Sequence, residues 1–177
     1  MDTLVEYLIP IIGLKVGSHS FDFQVDNAFF AHFPDSLIKE GSFKVQLEID
    51  KRFDLYEMNF SFEGTTKADC DRCLATVDFP IKGTSRMIVK FAEEFTEDVD
   101  VIYIPIKTET LNVAKYVYEY LCLAVPYVKI FDCEVEKNRP CDLEMLTLLN
   151  QEDEEAFKES TKNSNPVWDQ LKNIKFN

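Results

Sequence analysis

Apolar and polar positions alternate through most of the first hundred residues. In SFDFQVD, Phe21, Phe23 and Val25 fall on one side of a two-residue period, which predicts a half-buried strand. The following DNAFFAHF breaks that period. There Asp26 is placed to cap a short helical turn, with Phe29, Phe30 and Phe33 facing the core. SFKVQLEID sets Phe43, Val45, Leu47 and Ile49 on one face, LYEMNFSFEG does the same with Tyr56, Met58, Phe60 and Phe62, and the short polar link between them predicts a hairpin. Val77, Phe79 and Ile81 continue in phase. Lys82-Gly83 then reads as a turn signal, followed by a strand through Met87, Val89 and Phe91. After the acidic EEFTED, DVIYIPI resumes extended structure, giving a meander of about six or seven strands.

Beyond Thr110 the period lengthens. Val113, Ala114, Val117, Tyr118, Leu121 and Val125 recur at helical spacing, and Pro126 ends the run. DLEMLTLLNQEDEEAFKES predicts a second helix with a solvated, strongly acidic end. In the tail, Asn165 as cap and Pro166 at the first helical position start a short helix with Val167, Trp168, Leu171 and Ile174 on one face. It docks either on its own chain or on a partner. The fold expected is α+β: an antiparallel β meander or barrel-like sheet, one central amphipathic helix and a helical acidic C-terminal part. A β-rich core domain at 1–130, including the helix at 110–125, precedes an acidic extension at 131–177 that ends in the docking helix at 165–175.

Charge and composition narrow the function. The 177 residues include 19 basic and 32 acidic side chains, a formal net charge of -13, so the mean field repels phosphate and favours a basic partner. Lys67, Arg72, Lys82, Arg86 and Lys90 lie in or beside the central strands. They form either a local RNA-binding patch or simple counter-charges for nearby acids. No run approaches the ~20 apolar residues of a membrane span. The start carries acidic residues where a secretory leader is basic, so a cytoplasmic protein is expected. There is no phosphate-binding glycine loop, dinucleotide fingerprint, H-E-x-x-H or G-x-S-x-G. The reading is therefore non-enzymatic.

Five cysteines are the remaining chemistry. In a reducing compartment they are expected as thiols or metal ligands and not as structural disulfides. Cys70 and Cys73, at C-x-x-C spacing, suit a metal-gripping turn, a dithiol redox pair or a plain turn. Zinc needs four ligands, and Cys133 with Cys141 are the candidates for the second pair. The redox reading lacks the helix N-terminus that lowers a thiol's pKa. Cys122, inside the apolar helix run, reads as a buried core thiol. His19 and His32 stand in no ligand spacing.

Three motifs in order carry a family resemblance: C-D-R-C-L-x-x-V-x-x-P-I at 70–81; E-Y-L-C-L-A-V-P at 119–126, with FDCEVE after it; and N-P-x-W-x-x-L-K at 165–172. The chain resembles the YceD family, and its opening IPIIGLKVGSHSFDFQVD is similar to members of the Bacteroidetes type. The positions that match are Cys70, Arg72, Cys73, Leu74, Pro80, Leu123, Pro126, Cys133, Asn165, Pro166, Trp168 and Leu171. The resemblance implies a cytoplasmic factor in large-subunit ribosomal RNA accumulation or ribosome assembly. The expected mode is binding of a basic ribosomal protein or a large-subunit precursor. The alternatives are a zinc-binding or thiol-dependent enzyme using Cys70 and Cys73, and a direct RNA binder.

Overall fold

The architecture was read from a computed structural model, which describes residues 4–93, 101–131 and 140–151. Alternation becomes sheet where it was expected. Strands β2 (Gly17–Val25), β3 (Gly41–Lys51), β4 (Leu55–Asp69), β5 (Thr76–Phe91) and β6 (Val101–Ile104) form one five-stranded sheet in that order. β3 and β4 are the expected hairpin, in a register that sets Val45 against Phe62, Leu47 against Phe60 and Ile49 against Met58. These six residues share the inner face and are buried, while Lys44, Gln46, Glu48, Ser61 and Glu63 point to solvent. A one-residue slip would exchange the two faces, so burial fixes the register.

Two features depart from the expected meander. β6 runs parallel to β5, pairing Ile88 with Val101 and Phe91 with Ile104. Nine residues separate the two strands in the sequence. The sheet is also open rather than a closed barrel. At Lys82-Gly83 there is no turn, and β5 continues unbroken for 16 residues. The glycine answers a packing need instead. A Cβ at Gly83 would lie 2.8 Å from Cζ of Phe62, so the residue leaves room for that ring on the inner face. Pro80 sits in the part of β5 that β6 does not cover, a sheet edge where a missing N–H is tolerated.

The short helix α1 (Asn27–Phe30) starts as the sequence requires. Asp26 Oδ1 accepts from the amides of Ala28 at 2.9 Å and Phe29 at 3.2 Å, which satisfies donors that a helix start leaves unpaired. Phe29 and Phe30 are buried and join an aromatic chain. Tyr7 stacks on Phe23, with ring centres 4.9 Å apart; Phe29 packs on Tyr7 and Phe30, and Phe30 meets Phe43 edge-on. Each such pair contributes about 0.5–1.5 kcal/mol beyond its burial.

Helix α2 (Ala114–Ala124) occupies the expected central helix, ending at Val125 before Pro126. Val113, Ala114, Val117 and Leu121 are buried as its period demands. Tyr118 stacks on Phe33 at 4.0 Å, and Tyr120 meets Phe60 at 5.1 Å, fastening the helix to α1's surroundings and to the sheet. Just before it, residues 111–112 (β7, Leu111–Asn112) pair with β1 (Leu8–Ile9) in a separate two-stranded sheet. Asn112 Oδ1 accepts from the Ala114 amide at 2.9 Å. Residues 143–151 are helical (α3), and Asp142 Oδ1 accepts from the amides of Glu144 and Met145. The rest of that expected helix and the whole docking helix at 165–175 lie outside the described residues. Among the described residues no helix is long and apolar enough to cross a membrane.

The chain divides into two compact units. One comprises Met1–Ala68 and Val77–Lys129; the other comprises Asp69–Thr76 and Ile130–Asn177.

Candidate functional site: a buried thiol turn

Between the end of β4 and the start of β5, six residues make a tight reversal around sulfur. Asp69 and Thr76 close its base through a 2.7 Å bond from the Thr76 hydroxyl to the Asp69 carboxylate. The Cys70 amide donates to the Ala75 carbonyl at 2.9 Å, and the Leu74 amide donates back to the Cys70 carbonyl at 2.8 Å. Leu74 is the one non-glycine residue with positive φ among those described, at 60°. That left-handed step turns successive amides inward, the arrangement by which backbone N–H groups make a concavity for an anion.

The anion-like group in this concavity is a sulfur. Cys70 and Cys73 are both fully buried. The Phe131 amide lies 3.4 Å from Cys70 Sγ, and the amides of Arg72 and Cys73 also point to it. Burial pushes the Cys70 thiol up; the amides of Phe131, Cys73 and Arg72, together with the Cys73 side chain, outweigh it and hold Cys70 below its ordinary value. The turn therefore makes ionisation of Cys70 easier than in water while shutting solvent out. Thiol catalysis needs a sulfur that a substrate can reach, so this geometry suits a ligand better than a nucleophile.

The other expected residues fall in several places. Arg72 and Leu74 are exposed on the turn itself, Leu74 by 62%. Pro80 is on the exposed face of β5, and Leu123 and Pro126 are exposed at the end of α2. Cys122 is half-buried and not a core thiol, because its position on α2 faces sideways from the Val117 and Leu121 row. Cys141 is buried and disulfide-bonded, against the expectation of thiols throughout; a cross-link restricts the unfolded chain and so adds cohesion independently of packing. Cys133, Asn165, Pro166, Trp168 and Leu171 lie outside the described residues. Among the described residues no group of three or more His, Cys, Asp or Glu is gathered to hold a metal.

The basic side chains are dispersed among acids. Lys67 bonds Glu40 at 2.9 Å and Arg86 bonds Glu57 at 3.0 Å. On the outer sheet face an open trough of about 890 Å³ sets Lys44 and Lys82 beside Asp22 and Glu63. Sequence reasoning missed the Phe131 amide and the left-handed Leu74. Both act through the backbone, which leaves no side-chain signature; only the C-x-x-C spacing hinted at them.

Taken together, the fold and the site define an α+β protein whose chemistry-bearing feature is a buried thiol turn joining two strands. The chain belongs to the family described as large ribosomal RNA subunit accumulation protein YceD, whose model matches residues 58–175. The matched span takes in the thiol turn, β5 and α2. No curated protein and no solved structure matches the chain. Membership ties the chain to the accumulation of large-subunit ribosomal RNA, the role that the family's description names.

Proposed function

We propose that the protein supports large-subunit ribosomal RNA accumulation by binding, without turnover, a basic ribosomal protein or a precursor particle that carries one. The family membership supplies the process. The charge pattern is the observation that carries the mode of action: a net -13 overall, with Lys67 and Arg86 each committed to an acid and Lys44 and Lys82 interleaved with Asp22 and Glu63. Such a surface attracts a cationic polypeptide and speeds its encounter. An RNA backbone instead asks for a continuous basic stripe. The exposed family-motif positions Arg72, Leu74, Pro80, Leu123 and Pro126 are the contact candidates, together with Asn165, Pro166, Trp168 and Leu171 of the C-terminal motif. The site of action is the cytoplasm.

Recovery of the tagged full chain from growing cells tests this reading. Basic large-subunit proteins should co-purify and persist after nuclease treatment. Loss of every ribosomal component on nuclease treatment, with retention on ribosomal RNA that falls steeply with salt and with Arg72→Glu, would replace it by direct RNA binding. Absence of ribosomal material from the start removes both.

A further inference from the structure

The two open edges of the five-stranded sheet are unlike. The stretch of β5 that β6 leaves uncovered carries Pro80, Lys82 and Arg86, a proline and long cations of the kind that keep an edge from pairing. β2 ends the sheet on the other side with none of these. Its nine residues, Gly17–Val25, include no proline, lysine or arginine, and they pair with β3 without a bulge. The hydrogen bonds fix which groups of β2 face outward. Just before β3 the Lys67 amide donates to the Glu40 carbonyl, and just after it the Arg52 amide donates to the Leu55 carbonyl. Even-numbered residues of β3 therefore bond towards β4 and odd-numbered ones towards β2. Opposite the odd ones stand Gly17, His19, Phe21, Phe23 and Val25. Ser18, Ser20, Asp22 and Gln24 thus turn their N–H and C=O away from the sheet. The Tyr7 hydroxyl donates to the Gln24 carbonyl at 3.4 Å. Among the described residues, nothing bonds the backbone of Ser18, Ser20 or Asp22 from that side.

We propose that this edge is a docking strand for an extended cationic segment of a partner polypeptide, which adds beside β2 as a further antiparallel strand. Strand addition draws affinity from main-chain bonds and specificity from alternate side chains, and antiparallel pairing is the more stable form. The two faces of β2 define those side chains. On the inner face the row Phe60, Leu47, Phe21 runs buried, buried, half-exposed, so an apolar residue of the segment completes it. On the outer face Asp22 stands opposite Gln46 and diagonal to Glu48. Neither carboxylate has an ion pair among the described residues. A lysine or arginine laid beside them relieves the repulsion of like charges on neighbouring strands. A second copy of the chain fits poorly: β2 against β2 brings two Asp22 carboxylates together with no lysine or arginine on either strand, in molecules that each carry net -13. The occupant is therefore a strand that alternates apolar and basic residues. This inference rests on the basic partner proposed above and adds where and how it is held.

The test uses the purified full chain and a synthetic peptide of alternating valine and lysine, nine residues long to match β2. On saturation with it, hydrogen exchange read by NMR should show the Ser18, Ser20 and Asp22 amides gaining protection, while amides in the open stretch of β5 do not change. In antiparallel pairing the peptide groups that face β2 belong to residues whose side chains share the outer face with Asp22, which are the lysines. Methylating the lysine amides should therefore weaken binding at least about tenfold. Methylating the valine amides, which face solvent, should leave it unchanged. Asp22→Lys should weaken binding about fivefold at low salt. Ser20→Pro removes one edge donor and keeps the β2–β3 bonds, so binding should be lost; should that variant fail to fold, the two methylated peptides on the unaltered chain decide alone. The proposal is overturned by no binding, by equal binding of both methylated peptides, or by loss with the valine set instead. Equal binding of a valine–glutamate peptide overturns it too, as does protection of the β2 amides that grows with protein concentration alone, the mark of a second copy. Failure of the function reading is seen separately. A tagged Ser20→Pro chain that recovers the same basic large-subunit proteins as the unaltered chain overturns the docking edge and leaves that reading standing. An unaltered chain that recovers none overturns the reading, and the peptides decide the edge.

Discussion

In the sheet, Phe43, Leu47, Phe60 and Val89 are buried on strands whose neighbours satisfy the backbone, whereas in the unit containing the thiol turn the buried residues described are Cys70, Cys73 and Cys141. One region is cohesive because apolar area leaves water, at roughly 25 cal/mol per Å². Among the described residues of the other, no large apolar side chain is buried, and the turn is held by backbone hydrogen bonds around sulfur. Stability and function should therefore respond to different insults. Core truncation should act on the first region, and changes in sulfur chemistry or backbone geometry on the second.

The largest effect is expected from Phe43→Ala. Phe43 is 1% exposed and meets Phe30 edge-on, opposite Gly64 in the hairpin. Its truncation should remove about 3–5 kcal/mol from the urea-unfolding free energy followed by circular dichroism. The rate at which a thiol reagent labels Cys70 in the folded chain should not change. Faster labelling in step with lost sheet stability would mean that the two regions are one cooperative body, and the contrast would collapse.

Alkaline pH probes the same region through Tyr7. Burial, with Glu6 and Asp26 adding, pushes its phenol up to about 12. The unfolded chain ionises near the ordinary value of 10.0, so the stabilising contribution is complete below that pH. It is lost as pH rises from there through the folded value, because the unfolded state gives up its proton first. A loss of about 2–3 kcal/mol is expected across this window. In Tyr7→Phe that pH-dependent component should vanish. An identical alkaline slope in the variant would show that other groups unfold the protein.

These two regions were not equally legible in the sequence. Side-chain periodicity reports what side chains do, and it located β2, β3, β4 and α2 because Val45, Leu47, Phe60, Val117 and Leu121 are buried for their own sake. It misread Gly83 as a turn, since a glycine emptied for a neighbouring ring and a glycine needed for a bend are the same letter. The parallel placement of β6 and the two-residue pairing of β1 with β7 were invisible, being too short or too distant for any local pattern. In the thiol turn, spacing exposed the Cys70–Cys73 pair, but the groups that set its chemistry are amides of Arg72, Cys73 and Phe131. Every residue has an amide, so no composition marks those three.

Gly83→Ala tests the packing explanation directly. The added methyl meets Cζ and Cε2 of Phe62 at 2.8 and 2.9 Å, and Phe62 is 6% exposed with little room to retreat. A destabilisation of about 1–3 kcal/mol is expected in the urea transition. Combining Gly83→Ala with Phe62→Leu should cost less than the sum of the two changes, the mark of residues in contact. Strict additivity would point to backbone freedom at position 83 rather than to the ring.

The smallest effect has the opposite sign and belongs to the thiol turn. Leu74 is 62% exposed, so removing its side chain forfeits little packing, while its φ of 60° carries a left-handed penalty of about 1–2 kcal/mol for a residue with a Cβ. Glycine removes that penalty but adds freedom to the unfolded chain, an offset of about 0.4–1 kcal/mol. Leu74→Gly should thus tighten the turn by about 0.5–1 kcal/mol, read as slower labelling of Cys70 by a thiol reagent in reduced protein. Leu74→Val, whose β-branch resists positive φ, should speed the labelling. The same kind of change, adding or deleting a Cβ, would then harm the sheet at position 83 and help the turn at position 74. Faster labelling in Leu74→Gly would mean that the leucine side chain itself holds the turn shut, and that packing, not backbone geometry, governs both regions.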